Sequence, residues 1–137
     1  MRAVLFAIAC LAAGAAAAAD QNARLAGMTF DWRVSARGAP QCREVWSFGA
    51  DGIVTITSGQ EITTQSYRLG ASEDPSMFVL DRTRLTSNGL PDCLGHSDPS
   101  VGGERRGFVM FQNNGGFFTC GSIDTMSCYA VASPRRN

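Results

Sequence analysis

The sequence predicts an all-β protein, an antiparallel up-and-down barrel of eight strands, with a flattened β-sandwich as the alternative. Short runs of β-branched and aromatic residues recur along the chain, and they end at Gly, Asn, Asp, Ser or Pro. No helical pattern separates them, and most connections are short, so consecutive strands should pair antiparallel. Closing this meander removes its exposed edges, and eight strands leave an interior that side chains or one small ligand can fill.

Alternation of apolar and polar residues supports the individual strands. In residues 53–58, Val54 and Ile56 face one side, and Thr55 and Thr57 face the other. Glycines with Asp, Gln or Asn predict hairpin reversals at 49–52, 58–60 and 113–116. The aromatic side chains on the strands, Phe108 among them, are expected in the core. The predicted strands are residues 29–35, 43–48, 53–58, 61–69, 77–85, 107–112, 116–120 and 127–133.

The N-terminal segment predicts export. Met1-Arg2 is followed by a short apolar run, and Ala17-Ala-Ala19 before Asp20 matches the small-residue pattern of signal peptidase cleavage. We expect residues 1–19 to be a signal peptide and residues 20–137 to be one domain, periplasmic or secreted from a bacterium. The apolar run is too short for a lasting membrane span. Lipidation at Cys10 is disfavoured, because only nine residues would precede it.

Charge and chain length limit the partners and cofactors that we expect. The formal net charge is +0, and loss of Arg2 with the signal makes the mature chain about −1. Without a basic excess we expect no nucleic-acid partner. A mature chain of 118 residues (137 − 19) is long enough to fold without a metal. We expect no transmembrane segment after signal removal, and no cofactor.

Four cysteines remain after signal removal, and an even number in a small exported domain predicts two disulfides. Four cysteines allow three connectivities. In an up-and-down barrel the loops after strands one, three, five and seven share one end, and all four cysteines fall in or beside these loops. Because all four lie at one end, we expect the two cysteines that are close in sequence to bond to each other, and the other two to bond across the rim. The predicted disulfides are therefore Cys120–Cys128 and Cys42–Cys93.

Two short motifs resemble the opening of bacterial lipocalin-like (calycin) domains. Leu25-Ala-Gly27 leads to Trp32, and Trp46-Ser-Phe-Gly-Ala-Asp-Gly52 follows. Domains of this class begin with Leu-x-Gly-x-Trp and continue with an aromatic-rich strand that turns through Asp-Gly. The match covers about the first third of the mature chain. The resemblance implies a small secreted β-barrel and carries over no ligand.

Residues 88–100 contain the single histidine, one cysteine and two aspartates. A transition-metal site needs three or four ligands, and Asp92, His96 and Asp98 would have to provide them if Cys93 is oxidised. Catalysis by a nucleophile needs a base and an orienting group, and His96 has no recognisable nucleophile partner in the sequence. We therefore expect neither a metal site nor an enzyme, and interpret this stretch as a tethered surface loop.

Arg82 and Arg84 alternate with Asp81 and Thr83 on the fifth strand. We favour an outward position for the arginines, reached through a bulge or twist. In the alternative, one arginine points into the mouth of the barrel and pairs with an anionic ligand group.

The long loop, residues 86–106, is the main candidate for function, because ordered loops of this length often bind partners. Its candidate interaction residues are Asp92, His96, Asp98, Arg105 and Arg106. We expect a protein-interaction module, with inhibition of another exported protein as its most specific form. The alternatives are a lipocalin-like carrier of a small apolar or amphipathic ligand, and a structural cell-envelope protein.

Overall fold

The computed structural model describes residues 20–136; the predicted signal peptide, residues 1–19, and Asn137 lie outside the described residues. Each strand pairs antiparallel with the next, and β1 pairs with β8, so the sheet is a closed up-and-down barrel. The predicted fold class is confirmed, and the flattened sandwich is excluded. The strands are β1 (Thr29–Val34), β2 (Arg43–Phe48), β3 (Ile53–Ser58), β4 (Glu61–Ala71), β5 (Phe78–Ser87), β6 (Glu104–Phe111), β7 (Phe117–Cys120) and β8 (Cys128–Pro134).

Strand ends differ from the prediction around the long loop. β5 continues to Ser87 and β6 begins at Glu104, because Asp81, Arg82 and Thr83 pair with Arg106, Arg105 and Glu104. The connecting loop is therefore residues 88–103, and the two arginines assigned to it belong to β6. No helix in the described part of the chain is long and apolar enough to cross a membrane.

One end of the interior is filled by apolar side chains. Phe30, Phe48 and Phe117 are almost fully buried, and Phe30 meets Phe117 edge to face at 4.9 Å between ring centroids. The segment before β1 closes this end, since Leu25 is completely buried there and the amide of Gly27 donates to the carbonyl of Phe48 at 2.7 Å. We call this the apolar end of the barrel.

The opposite end carries the loops that follow β1, β3, β5 and β7, and we call these four loops the rim: residues 35–42, 59–60, 88–103 and 121–127. Both predicted disulfides, Cys42–Cys93 and Cys120–Cys128, are present here. Gly59 has φ +60°, and an added Cβ would lie 2.7 Å from the carbonyl of Asp92. The long loop thus packs directly on the β3–β4 turn, where only glycine fits.

The outer wall corrects one expectation about the aromatic residues. Phe108 and Phe118 lie on the outward face and are half-buried, whereas Phe117 is completely buried. Phe108 follows the inward Gly107 and precedes the inward Val109, so the period of two turns it away from the core. It lines an open groove on the outer wall with Val79 and Ile123.

We predict that the two disulfides differ in their contribution to stability. Cys42–Cys93 spans 51 residues and Cys120–Cys128 spans 8. On loop-closure entropy, removing the first should lower the free energy of unfolding by about 4 kcal/mol and removing the second by about 2.5 kcal/mol. Urea unfolding of the two double Cys→Ala variants measures this. Equal losses, or a larger loss for the shorter loop, would contradict it.

Candidate functional site

The interior near the rim holds a polar cavity of about 160 Å³, which we call the mouth cavity. It is lined by residues of β1 to β6 and β8, where these strands approach the rim, and by Asp92 of the long loop. The inward side chains are apolar at the closed end of the barrel, whereas many of those around this cavity carry charged or amide groups. The lining residues are Trp32, Glu44, Trp46, Ile56, Glu61, Thr63, Gln65, Arg82, Arg84, Asp92, Arg105 and Tyr129.

Two tryptophans form a fixed aromatic surface in the cavity. Trp32 and Trp46 stack with 5.7 Å between ring centroids and 8° between planes. The indole N–H of Trp32 donates to Thr119 Oγ1 at 2.9 Å, and that of Trp46 donates to Glu44 Oε2 at 2.6 Å. Because both polar atoms are satisfied, the rings are held in place, and Glu44 is oriented by one of them.

Arg82 points into this cavity, so the outward position that we favoured is not the one in the structure. In the sheet its backbone lies opposite Tyr67 of β4 and Arg105 of β6. Its guanidinium lies 4.5 Å from the Trp46 ring centroid. Its Nε is shielded from solvent, although the residue as a whole is partly exposed, and it has no hydrogen-bond partner among residues 20–136. Burial, with Arg105 beside it, lowers the pKa of Arg82 to about 10, so it stays cationic at neutral pH.

Arg84 also points inward, and its Nη1 contacts both the barrel wall and the long loop. Its Nη1 lies 3.4 Å from Glu61 Oε1 and 3.5 Å from Asp98 Oδ2, and it donates to the carbonyl of Asp98 at 2.8 Å. The backbone of the same residue accepts from the amide of Gly102 at 2.7 Å. Arg84 therefore attaches the long loop to the barrel wall.

The neighbouring arginines of β6 have opposite environments. Arg105 lines the mouth cavity and remains exposed, and no ion pair to it is present in the described chain. Arg106 lies on the outer wall, where its Nε and Nη2 donate to the two carboxylate oxygens of Asp81 at 2.7 and 2.9 Å. That contact holds the pKa of Asp81 below its usual range. Both arginines were expected in one loop, but the alternation of β6 turns Arg105 inward and Arg106 outward.

The long loop is ordered by its own aspartates. Asp92 Oδ1 accepts from the amides of Leu94 and His96 at 2.8 and 2.9 Å, and Asp98 Oδ1 accepts from Ser100 at 3.0 Å. The His96 side chain is 76% exposed, and its Nδ1 is 4.0 Å from Asp92 Oδ2. Asp98 faces Arg84 instead, so the three residues do not converge on one point.

One grouping of potential metal ligands is close enough to share an ion within residues 20–136: Cys42, Glu44 and Cys93. Both sulfurs are joined in a disulfide, and it is the thiolate that binds metal. This grouping is therefore a covalent anchor with a carboxylate beside it.

Exposed apolar side chains concentrate at the rim. Nine large apolar residues are exposed in the described chain, and eight lie in rim loops or on strands near them; Met28, at the apolar end, is the ninth. Met126 is 88% exposed. The eight are Ile62, Leu85, Leu90, Leu94, Val101, Ile123, Met126 and Tyr129.

Comparison of the chain with protein-family models, with curated proteins and with solved structures found no match.

We predict opposite effects on stability for the two inward arginines of β5. Arg82→Met removes a buried cation without a hydrogen-bonded partner, so the free energy of unfolding should stay unchanged or rise by about 1 kcal/mol. Arg84→Met leaves Glu61 unpaired and should lower it by about 2–3 kcal/mol. Urea unfolding compares them. If Arg82→Met were the more destabilising variant, our description of its environment would be wrong.

We also predict that acid releases the long loop. The backbone amide of His96, followed by that of Leu94, holds the pKa of Asp92 below its usual range. A lowered folded pKa stabilises the loop above the unfolded value of about 3.9, and this is lost as pH falls through the folded pKa. Amide protection factors at Leu94 and His96 should drop over that window. In Asp92→Ala they should be low already at neutral pH; wild-type protection in this variant would refute the prediction.

Proposed function

We propose that this protein is an exported, non-enzymatic recognition module that binds another exported protein through its rim. The observation that supports this most directly is the concentration of exposed apolar side chains on loops anchored by two disulfides. Clusters of exposed apolar residues on soluble proteins commonly mark contact surfaces. Inhibition of the partner is the most specific form of this function, since ordered rim loops can occupy a cleft.

The rim is preorganised for binding. The long loop is tied to the β1–β2 loop by the Cys42–Cys93 bond and to the β3–β4 turn by two hydrogen bonds. Asn88 Nδ2 donates to the carbonyl of Gln60 at 3.0 Å, and the amide of Gln60 donates to the carbonyl of Pro91 at 2.9 Å. A loop already held in one conformation loses less entropy when it binds, so more of the contact energy appears as affinity.

The interior argues against the carrier alternative. Sites for drug-sized ligands usually measure about 300–1,000 Å³ and are mostly apolar. The mouth cavity, at about 160 Å³, is smaller and is lined by charged residues, while aromatic rings fill the apolar end. The other alternative is a purely structural role in the cell envelope. That role does not explain why exposed apolar residues lie on loops held in one conformation.

The family relation is part of the proposal. A closed eight-stranded barrel is consistent with the lipocalin-like resemblance of Leu25-Ala-Gly27, Trp32 and the Trp46–Gly52 stretch. The pair of disulfides suits an oxidising compartment such as the periplasm or the extracellular space.

The test compares one exposed apolar residue at each end of the barrel. Leu94, in the long loop, is 47% exposed, and Met28, at the apolar end, is 38% exposed. Leu94→Asp should reduce recovery of a cross-linked partner from the exported fraction of the host by about tenfold or more, because it places a charge within an apolar contact. Met28→Asp should recover the partner as the wild type does. Quantitative mass spectrometry of the cross-linked product measures both.

Two outcomes would contradict the rim proposal. If Met28→Asp lowered recovery of the partner as much as Leu94→Asp does, binding would not be specific to the rim. Native mass spectrometry that finds one small apolar molecule retained per chain, with no protein captured, would favour the carrier. Equal thermal unfolding of the two variants controls for misfolding.

A further inference from the structure

We propose that the mouth cavity is a binding site for a single carboxylate group, held by Arg82 and Arg105 beside the indole of Trp46. The site stands independently of the proposed protein partner, because it depends on side chains inside the barrel and not on the exposed apolar residues of the rim. It develops the alternative in which an arginine of β5 points into the barrel mouth and pairs with an anionic group.

The first support is the isolation of Arg82. A buried guanidinium normally has hydrogen-bonded partners, because desolvating a cation without them costs several kcal/mol. The Nε of Arg82 has no hydrogen-bond partner among residues 20–136, its guanidinium lies 4.5 Å from the Trp46 ring centroid, and Glu44 attracts the cation without a hydrogen bond to it. A cation–π contact leaves the in-plane N–H donors unused. These donors are the ones that a carboxylate accepts from in a bidentate pair.

The second support is the balance of charge. The cavity is lined by three arginines, Arg82, Arg84 and Arg105, and by two inward glutamates, Glu44 and Glu61. Arg84 is paired with Glu61 and with Asp98 of the long loop, so Glu44 is the one inward carboxylate left beside Arg82 and Arg105. These three side chains together carry one excess positive charge. Asp92 also borders the cavity, but its carboxylate is turned to the amides of the long loop and to His96.

One excess positive charge selects among anions. A monoanion neutralises it, whereas a dianion such as phosphate would bring a second negative charge close to Glu44 and Glu61. The planar guanidinium fork matches a planar carboxylate in geometry. The site thus favours a carboxylate over a tetrahedral dianion.

Size and access fit a small group. At about 30 Å³ per water, the cavity of about 160 Å³ holds roughly five waters, which is enough for a carboxylate on a short stem. Arg105 is exposed while it lines the cavity, so the site reaches solvent at the rim. The carboxylate could belong to a free small acid, or to a side chain or C-terminus that a protein offers at the rim.

The experiment uses sodium acetate as the probe and tryptophan fluorescence as the readout. Trp32 and Trp46 are the only tryptophans of the chain and both line the cavity. At constant ionic strength, acetate should change the emission saturably, while acetamide, its neutral analogue, should not. If acetamide or sodium chloride produced the same change as acetate, the carboxylate site would be refuted.

Variants locate the binding group. Arg82→Met and Arg105→Met should each weaken acetate binding by about tenfold or more, because each removes a charge-assisted hydrogen bond. Arg106→Met is the matched control, since Arg106 lies one residue from Arg105 but faces outward onto Asp81. It should bind acetate as the wild type does. Equal weakening by Arg105→Met and Arg106→Met would show a general surface-charge effect and overturn the proposal.

Further arms identify the source of the carboxylate and separate the two proposals. Two short capped peptides, one with an internal Asp and one with a free C-terminus, are compared with acetate and with their amidated forms. Tighter binding of one carboxylate peptide assigns the group to a protein; equal or weaker binding assigns it to a free acid. Leu94→Asp should retain acetate binding, so loss of the protein partner and loss of the carboxylate site are distinguishable.

Discussion

The pairing of β1 with β8 is the constraint on which the rest of the structure depends. Phe30 and Trp32 face Pro134 and Ala132 across this seam, and their contact makes the sheet continuous. A closed sheet of eight up-and-down strands gives every residue one of two positions, inward or outward, and every loop one of two ends. Closure therefore decides that Cys42 meets Cys93, that the polar inward residues share one cavity, and that the long loop lies beside both.

Strand parity made much of this predictable. β2 and β3 have the predicted bounds, and the hairpin between them was predicted from the glycines and the Asp-Gly pair of residues 49–52. The start of β6 was missed, since Glu104, Arg105 and Arg106 carry no apolar signal and are strand residues only because β5 pairs with them. Here backbone hydrogen bonding to a neighbour overrides local composition. The loop bounds and the assignment of two arginines were wrong for this reason.

The candidate site was only partly visible in the sequence. Parity from Leu80 already pointed Arg82 inward, but we favoured an outward position reached through a bulge or twist, which would avoid the cost of burying a cation. What offsets that cost is the ring of Trp46, which lies three strands away along the sheet and cannot be inferred from spacing. Glu44 and Gln65 were missed for the same reason, because their role depends on which strands surround them. Their inward parity with Trp46 and Tyr67 was the one signal available.

The two ends of the barrel thus differ in the side chains that they bury. The apolar end supplies burial, and the mouth contains charges that stability alone does not favour, a pattern expected where function has shaped a site. The most direct test that the rim end is the recognition end is hydrogen exchange of the protein with and without its captured partner. Added protection is expected at residues 35–42, 88–103 and 121–127. Protection confined to residues 20–28 and 72–77, at the apolar end, would contradict it.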